Sequence, residues 1–148
     1  MAAGGIADGR GWVAATALGA EGIQMGTRFV AVTENPAHPR YKEAILLAKD
    51  ADTAIASRKI GPARSLNGDL TRKLKELEAS GASAETVRAF IGFRRARKAQ
   101  LNGALEAGEA YAGSSAGLVH DIPTAAGVIH RMVEEYERVM REFLNETR

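Results

Sequence analysis

The chain has 148 residues, a length that suits a single domain. Hydrophobic residues make up 45% and charged residues 26%, which excludes wholesale disorder. Twenty basic against 18 acidic residues leave only +2, so no nucleic-acid partner is called for, and with no cysteine there are neither disulfides nor thiolate metal sites.

Aromatics are only 5%, so the core falls mainly to Ala, Leu, Ile and Val. No apolar run reaches the roughly 18 residues that a membrane helix needs, so no membrane partner is expected. Met1 is not followed by a basic and then an apolar stretch, so no secretory leader is expected either. The cysteine-free composition fits the cytoplasm, which is the expected compartment.

Residues 1–8 read as the end of a short buried strand running into a glycine turn. Residues 9–18 are Ala-rich, with Trp12, Val13 and Leu18 at helical spacing, Asp8 as N-cap and Gly19 as stop. Residues 21–26 form a second short strand, and Gly26-Thr27 opens a further helical turn through Val32. Strand, helix and strand make a βαβ unit, whose strands are parallel because the helix returns the chain to the same end. Two glycine turns then lie at the carboxyl ends of neighbouring strands, where backbone N–H groups can converge on one anion.

Beyond residue 33 the texture changes. Asn35-Pro36-Ala37-His38-Pro39 is a turn, and 40–49 a helix with Tyr41, Ala44, Ile45 and Ala48 on one face. Residues 53–56 read as a short strand, with Gly61-Pro62 as a breaker. A charged amphipathic helix is predicted over 70–80, and another opens at Ser83 and runs on to Asn102-Gly103. Within it Arg88, Arg94, Arg95, Arg97 and Lys98 interleave with Phe90 and Phe93, a pattern read as a solvated face with two core aromatics. The last helix is predicted to start at Asp121, with Pro123 in its first turn. Its apolar stripe runs through Ile122, Ala126, Ile129, Val133, Tyr136, Met140 and Phe143, widened by Ala125, Met132 and Val139.

The segment Ala2-Ala-Gly-Gly-Ile-Ala-Asp-Gly-Arg-Gly11, followed by Leu18-Gly-Ala-Glu-Gly-Ile-Gln-Met-Gly-Thr-Arg-Phe29, resembles the FMN-binding end of the nitronate monooxygenase (2-nitropropane dioxygenase) family. That family includes the FMN-dependent enoyl-ACP reductase II branch. Ala37-His-Pro-Arg-Tyr-Lys-Glu-Ala-Ile45 is similar to its loop-to-helix segment, and Ala112-Gly-Ser-Ser-Ala-Gly-Leu-Val-His-Asp-Ile-Pro123 to its C-terminal segment. The resemblance implies an α/β fold: the last two βα units of a TIM (β/α)8 barrel, followed by a mainly helical tail. Residues 1–32 would form the FMN-phosphate end, 33–120 a mainly helical insertion, and 121–148 the long amphipathic helix. On this expectation the chain is a C-terminal portion of a larger barrel.

The resemblance also implies roles. Gly5 N–H, with Gly4 permitting close approach, would contact the FMN phosphate. Gly26 and Thr27 would add a backbone N–H and a hydroxyl, while Gln24 and Met25 would lie near the ribityl chain or ring. The family's catalytic base is a histidine upstream of this region. His38, His120 and His130 do not match it, so no catalytic residue and no metal ligand is assigned. Where the family often has Ala-Gly-Gln, this chain has Ala112-Gly113-Ser114, and the shorter Ser114 reaches less far. Arg28 either neutralises the phosphate or forms a structural ion pair. The implied activity is oxidation of alkyl nitronates with O2, with no turnover by the isolated chain. The alternatives are reduction of an enoyl thioester with NAD(P)H, or a non-catalytic helical module in which two copies cover each other's open strand edges and apolar faces.

Overall fold

Ala2–Ala3 (β1) and Ile23–Gln24 (β2) lie side by side as parallel strands in the computed structural model, which describes residues 1–146. Ala2 pairs with Ile23 and Ala3 with Gln24. The helix Gly9–Ala17 (α1) joins them. Its start is set locally, because the Asp8 carboxylate accepts the Gly11 N–H at 3.0 Å. Its end is set by Gly19, whose φ of +91° suits a residue without Cβ. The single helical turn Thr27–Val30 (α2) follows β2.

Pro39–Leu46 (α3) buries Tyr41 and Ile45. His38, read from the sequence as a loop residue, is its N-cap, and Nδ1 accepts the Arg40 N–H at 3.2 Å. Thr53–Ala56 (β3) is a strand as predicted, but it has an antiparallel partner that the sequence did not reveal, Ala63–Leu66 (β4). The segment is four residues long and polar at Arg64 and Ser65, so its alternation is too short to register. Pairing makes it a strand. The Arg64 guanidinium donates to Thr53 O and Oγ1, and buried Ser65 faces Tyr111 in a further bridge.

Asp69–Ala79 (α4) packs Leu70 and Leu74 with Val87 and Ala56. The helix predicted from Ser83 to Asn102 is two helices, Ala84–Ile91 (α5) and Arg95–Asn102 (α6). They part where Gly92 (φ +64°) and Arg94 (φ +60°) turn left-handed. The break also corrects the expectation for Phe93. It is 82% exposed, with the Arg94 guanidinium 4.9 Å over its ring, whereas Phe90 does pack on the α4–α5 core.

A 3-10 turn, Ser114–Leu118, leads to the final helix Ala125–Glu146 (α7). This helix starts four residues later than predicted. Thr124 Oγ1 accepts the Gly127 N–H at 3.0 Å, and the Glu34 carboxylate accepts the Ala125 N–H at 2.9 Å, so Asp121 is left outside. Residues 147 and 148, the end of the predicted segment 121–148, lie outside the described residues.

The buried face of α7 follows the predicted stripe at Ala125, Met132 and Tyr136 but departs from it elsewhere. Val128 and Met132 are buried against Ile6, Ala15 and Val32, while Ala126 is exposed and Ile129 is 54% exposed. The reason is the crossing with α1. A Cβ on Gly9 would lie 2.6 Å from Tyr136 N and 2.8 Å from Met132 O, so the two backbones touch there. Trp12 and Tyr136 then pack with ring centroids 4.5 Å apart. The contact with α1, and not the richest apolar arc, decides which side faces in. Tyr41, Ile45, Ala99 and Val119 form a second cluster that joins α3, α6 and the 3-10 turn.

Candidate functional site

Because β1 and β2 are parallel neighbours, their carboxyl ends open on the same side. Gly4 and Gly5 follow β1 with φ of +88° and +74°, a region that a side chain would strain. Gly26 and Thr27 follow β2. The N–H groups of Gly5, Gly26 and Thr27 donate to no protein acceptor among the described residues. A Cβ on Gly4 or Gly26 would meet nothing within 4 Å, so the space in front of both turns is open. Unpaired, accessible backbone donors around an open space are what an anion needs.

Thr27 is buried, and its Oγ1 accepts the Gly113 N–H at 2.8 Å. With one lone pair engaged, its hydroxyl proton remains available to a further acceptor. Gln24 is exposed at the strand end. Met25 alternates to the opposite side and packs with Trp12 and Phe29. The two therefore present their side chains to different faces.

Arg28 is a structural ion pair. It is 5% exposed, and NH1 donates to Asp121 Oδ1 at 2.9 Å, while NH2 donates to the backbone oxygens of Ala31 and Asp121. Arg131 donates to the other Asp121 oxygen at 2.7 Å. The Arg131 hydrogen bond lowers the Asp121 carboxyl most, burial opposes it, and Arg28 adds to the lowering, so the net shift is downward. Beside the first turn, burial pushes the Asp8 carboxyl up. The Gly11 N–H and the Arg10 guanidinium together outweigh burial, and the net shift is downward. The Glu135 carboxylate accepts the Gly9 N–H at 2.7 Å. The final helix thus reaches both turn regions, through Glu135 at the first and through Arg131, which holds the Asp121 partner of Arg28, at the second.

Two of the three histidines are engaged in local structure. His38 caps α3, His120 is exposed before Asp121, and His130 pairs with Glu134 at 3.2 Å on the outer side of α7. Among the described residues no group of three or more His, Asp or Glu side chains is arranged to hold a metal, and no helix is long and apolar enough to cross a membrane. The comparison of Ala112-Gly113-Ser114 with the family's Ala-Gly-Gln pointed to this segment, but the sequence did not show that Gly113 bonds to Thr27 or that Ser114 lies beside Gly5.

A family model described as nitronate monooxygenase matches residues 1–135. The chain belongs to the nitronate monooxygenase family. It is 37% identical over 140 residues to the nitronate monooxygenase of Pseudomonas aeruginosa, covering 91% of this chain and 38% of that protein. The structure of FabK from Thermotoga maritima superposes with a TM-score of 0.91 at 40% identity, covering 97% of this chain and 46% of that one. Nitroalkane oxidase from Streptomyces ansochromogenes superposes with a TM-score of 0.75 at 26% identity, over 95% of this chain and 40% of that one. The chain therefore spans less than half the length of these relatives. The nitronate monooxygenase family comprises flavin-dependent oxidoreductases, and these structural neighbours are of TIM-barrel type.

Proposed function

We propose that the cradle binds the terminal phosphate of FMN, and that the chain is the phosphate-binding part of a flavin-dependent oxidoreductase. The observation that carries this is the trio of unpaired N–H groups at Gly5, Gly26 and Thr27, beyond two parallel strands and without a Cβ on either glycine to hold phosphate oxygens away. These residues fit a phosphate. The N–H groups would donate to its oxygens, and the Thr27 hydroxyl would add a fourth donor. Gly4 lets the backbone approach. Gln24, exposed at the strand end, would donate to the ribityl chain. Met25 would contribute backbone only, since its side chain belongs to the core. When bound, FMN supplies the electron exchange that no side chain here can supply.

The substrate of the intact enzyme is proposed to be an alkyl nitronate, oxidised with O2. The closeness to FabK, at 40% identity against 26% for the nitroalkane oxidase, favours an enoyl thioester as the second reading. Two of the three histidines are engaged elsewhere, His38 as the α3 cap and His130 with Glu134, and the proton-transfer group for either substrate is proposed to lie outside this chain. Among the described residues the sheet of β1 and β2 has two strands, and beside β1 lies an open cleft of about 550 Å3 lined by Met1, Gly4, Gly5 and Leu18. That geometry supports the view that the cradle works as part of a larger barrel, and that the chain alone does not turn over substrate.

Titration of the purified chain with FMN, followed by quenching of flavin fluorescence, tests the binding claim. Saturable quenching that inorganic phosphate reverses is expected. No quenching at millimolar chain would refute it. Oxygen uptake with an alkyl nitronate and FMN should stay at the level of the buffer, and steady turnover would refute the second claim.

A further inference from the structure

We infer that the break between α5 and α6 forms a docking surface for an acidic helix of a partner protein. This surface shares no residue with the cradle, so it stands whether or not FMN binds there. Residues 86–105 carry Arg88, Arg94, Arg95, Arg97 and Lys98 and no Asp or Glu. The whole chain is only +2 while this stretch is +5, so the other 128 residues carry a net −3. The positive charge is concentrated in one place. It is also unspent. Arg10, Arg28, Arg72 and Arg131 each meet a carboxylate, whereas none of these five side chains does among the described residues.

The backbone presents this charge together with apolar groups. Gly92 and Arg94 turn left-handed at φ of +64° and +60°, an uncommon conformation for a residue with a Cβ such as Arg94. The turn leaves Phe93 82% exposed, with the Arg94 guanidinium 4.9 Å from its ring centroid. Counted from Arg94, the residues Arg97, Lys98 and Leu101 follow at offsets of three, four and seven, so all four share one face of α6. All four are exposed, whereas Ala99, on the other side of α6, is fully buried. The eight residues of α6 span about 12 Å. This cationic strip therefore has an aromatic ring at one end and a leucine at the other.

Arginine and aromatic side chains are the groups that concentrate binding energy at protein interfaces. A partner helix of about two turns matches the strip in length. Its carboxylates at three- and four-residue spacing would meet Arg94, Arg97 and Lys98, and its apolar residues would meet Phe93 and Leu101. A nucleic acid matches less well, because its phosphates run on beyond the strip, over a molecule that is otherwise net negative. A membrane surface also matches less well. Val87 and Phe90 of α5 and Ala99 of α6 are committed to protein cores, which leaves only Phe93 and Leu101 of this strip to insert.

The test is fluorescence anisotropy of a labelled synthetic helical peptide, with glutamates and leucines along one face, titrated with the full chain. A copy with glutamine for glutamate is the control peptide. The glutamate peptide should bind saturably and weaken with salt, and the glutamine copy should not bind. Arg94→Gln with Arg97→Gln should weaken binding by about tenfold, since each exposed pair is worth less than a factor of about five. Phe93→Ser should weaken it by about tenfold as well. Lys49→Gln, which removes an exposed cation elsewhere, should leave it unchanged. Arg97→Glu should lose the glutamate peptide and gain a copy with one lysine in place of glutamate, a readout that loss of folding would not produce. The inference is overturned if the glutamate peptide does not bind, if both peptides bind alike, or if Phe93→Ser changes nothing. Tighter binding of a short single-stranded oligonucleotide, or of phosphatidylglycerol vesicles, overturns it too.

Discussion

Gly9→Ala puts one methyl group at the crossing of α1 and α7. Its carbon would lie 2.6 Å from Tyr136 N, 2.7 Å from Glu135 Cβ and 2.8 Å from Met132 O. Two of the three are backbone atoms, so no rotamer change relieves the contact. Restoring ordinary van der Waals separation at 3.4 Å requires α7 to retreat by about 0.8 Å. That retreat strains the 2.7 Å bond from the Gly9 N–H to the Glu135 carboxylate and loosens the Trp12–Tyr136 packing. Overpacking of this kind costs about 1–3 kcal/mol, and a weakened bond to a charged group adds up to about 1.5–3 kcal/mol. Alanine returns somewhat less than about 1 kcal/mol through its helix propensity in the first turn. The net loss is about 2–4 kcal/mol, a fall of about 5–15 °C in Tm for a chain of this size. Thermal unfolding followed by circular dichroism reads it. Gly22→Ala, where a Cβ would meet nothing within 4 Å, serves as the control and should change stability by less than about 0.5 kcal/mol. A Gly9→Ala midpoint within about 2 °C of wild type would refute a backbone-to-backbone crossing.

Gly26→Ala should behave in the opposite way. Its Cβ meets open space, so Tm should hold, but the methyl group stands where phosphate oxygens approach, and FMN titration should show affinity falling by about tenfold or more. Asp121 has its carboxyl held low in the folded chain, so the stability it contributes is present above the ordinary carboxylate range and is lost as pH falls through its folded value. Asp121→Asn should therefore lower Tm at pH 7, and the gap from wild type should close in acid; a gap that persisted unchanged in acid would contradict this. Burial, then the Tyr111 charge, raises the Tyr41 hydroxyl to about 12, and burial, then Glu109, raises Tyr111 to about 12. The folded chain keeps these protons where an unfolded chain loses them near pH 10, so stability should decline between pH 10 and 12. Absorbance titration should find two tyrosines ionising near pH 12 in the wild type and one in Tyr41→Phe.

Much of the first thirty residues was legible as sequence because its determinants are local. Asp8 caps the start of α1 through the Gly11 N–H, Gly19 stops the helix by its own φ, and Gly4 and Gly5 mark a turn of positive φ that a side chain would strain. The parallel pairing of β1 with β2 follows from the helix between them. The same local logic failed at β4, whose four residues form a strand only through their bonds to β3. It failed again at Gly92–Arg94, where the backbone turns left-handed inside what reads as one continuous helix.

Tertiary structure alone decided the partners separated by long stretches of chain. Arg28 could be read as a phosphate ligand or as half of an ion pair, and only the return of Asp121 to its guanidinium chose the second. Helical periodicity drew the apolar stripe of α7, but the approach of Gly9 to Met132 and Tyr136 chose which arc is buried. Gly113 and Ser114 reach the cradle only because the hairpin and Tyr41 hold their segment beside Thr27. Caps and turns are written in a few adjacent residues. Contacts between residues seventy or more positions apart depend on how whole elements pack, and local periodicity carries no record of that.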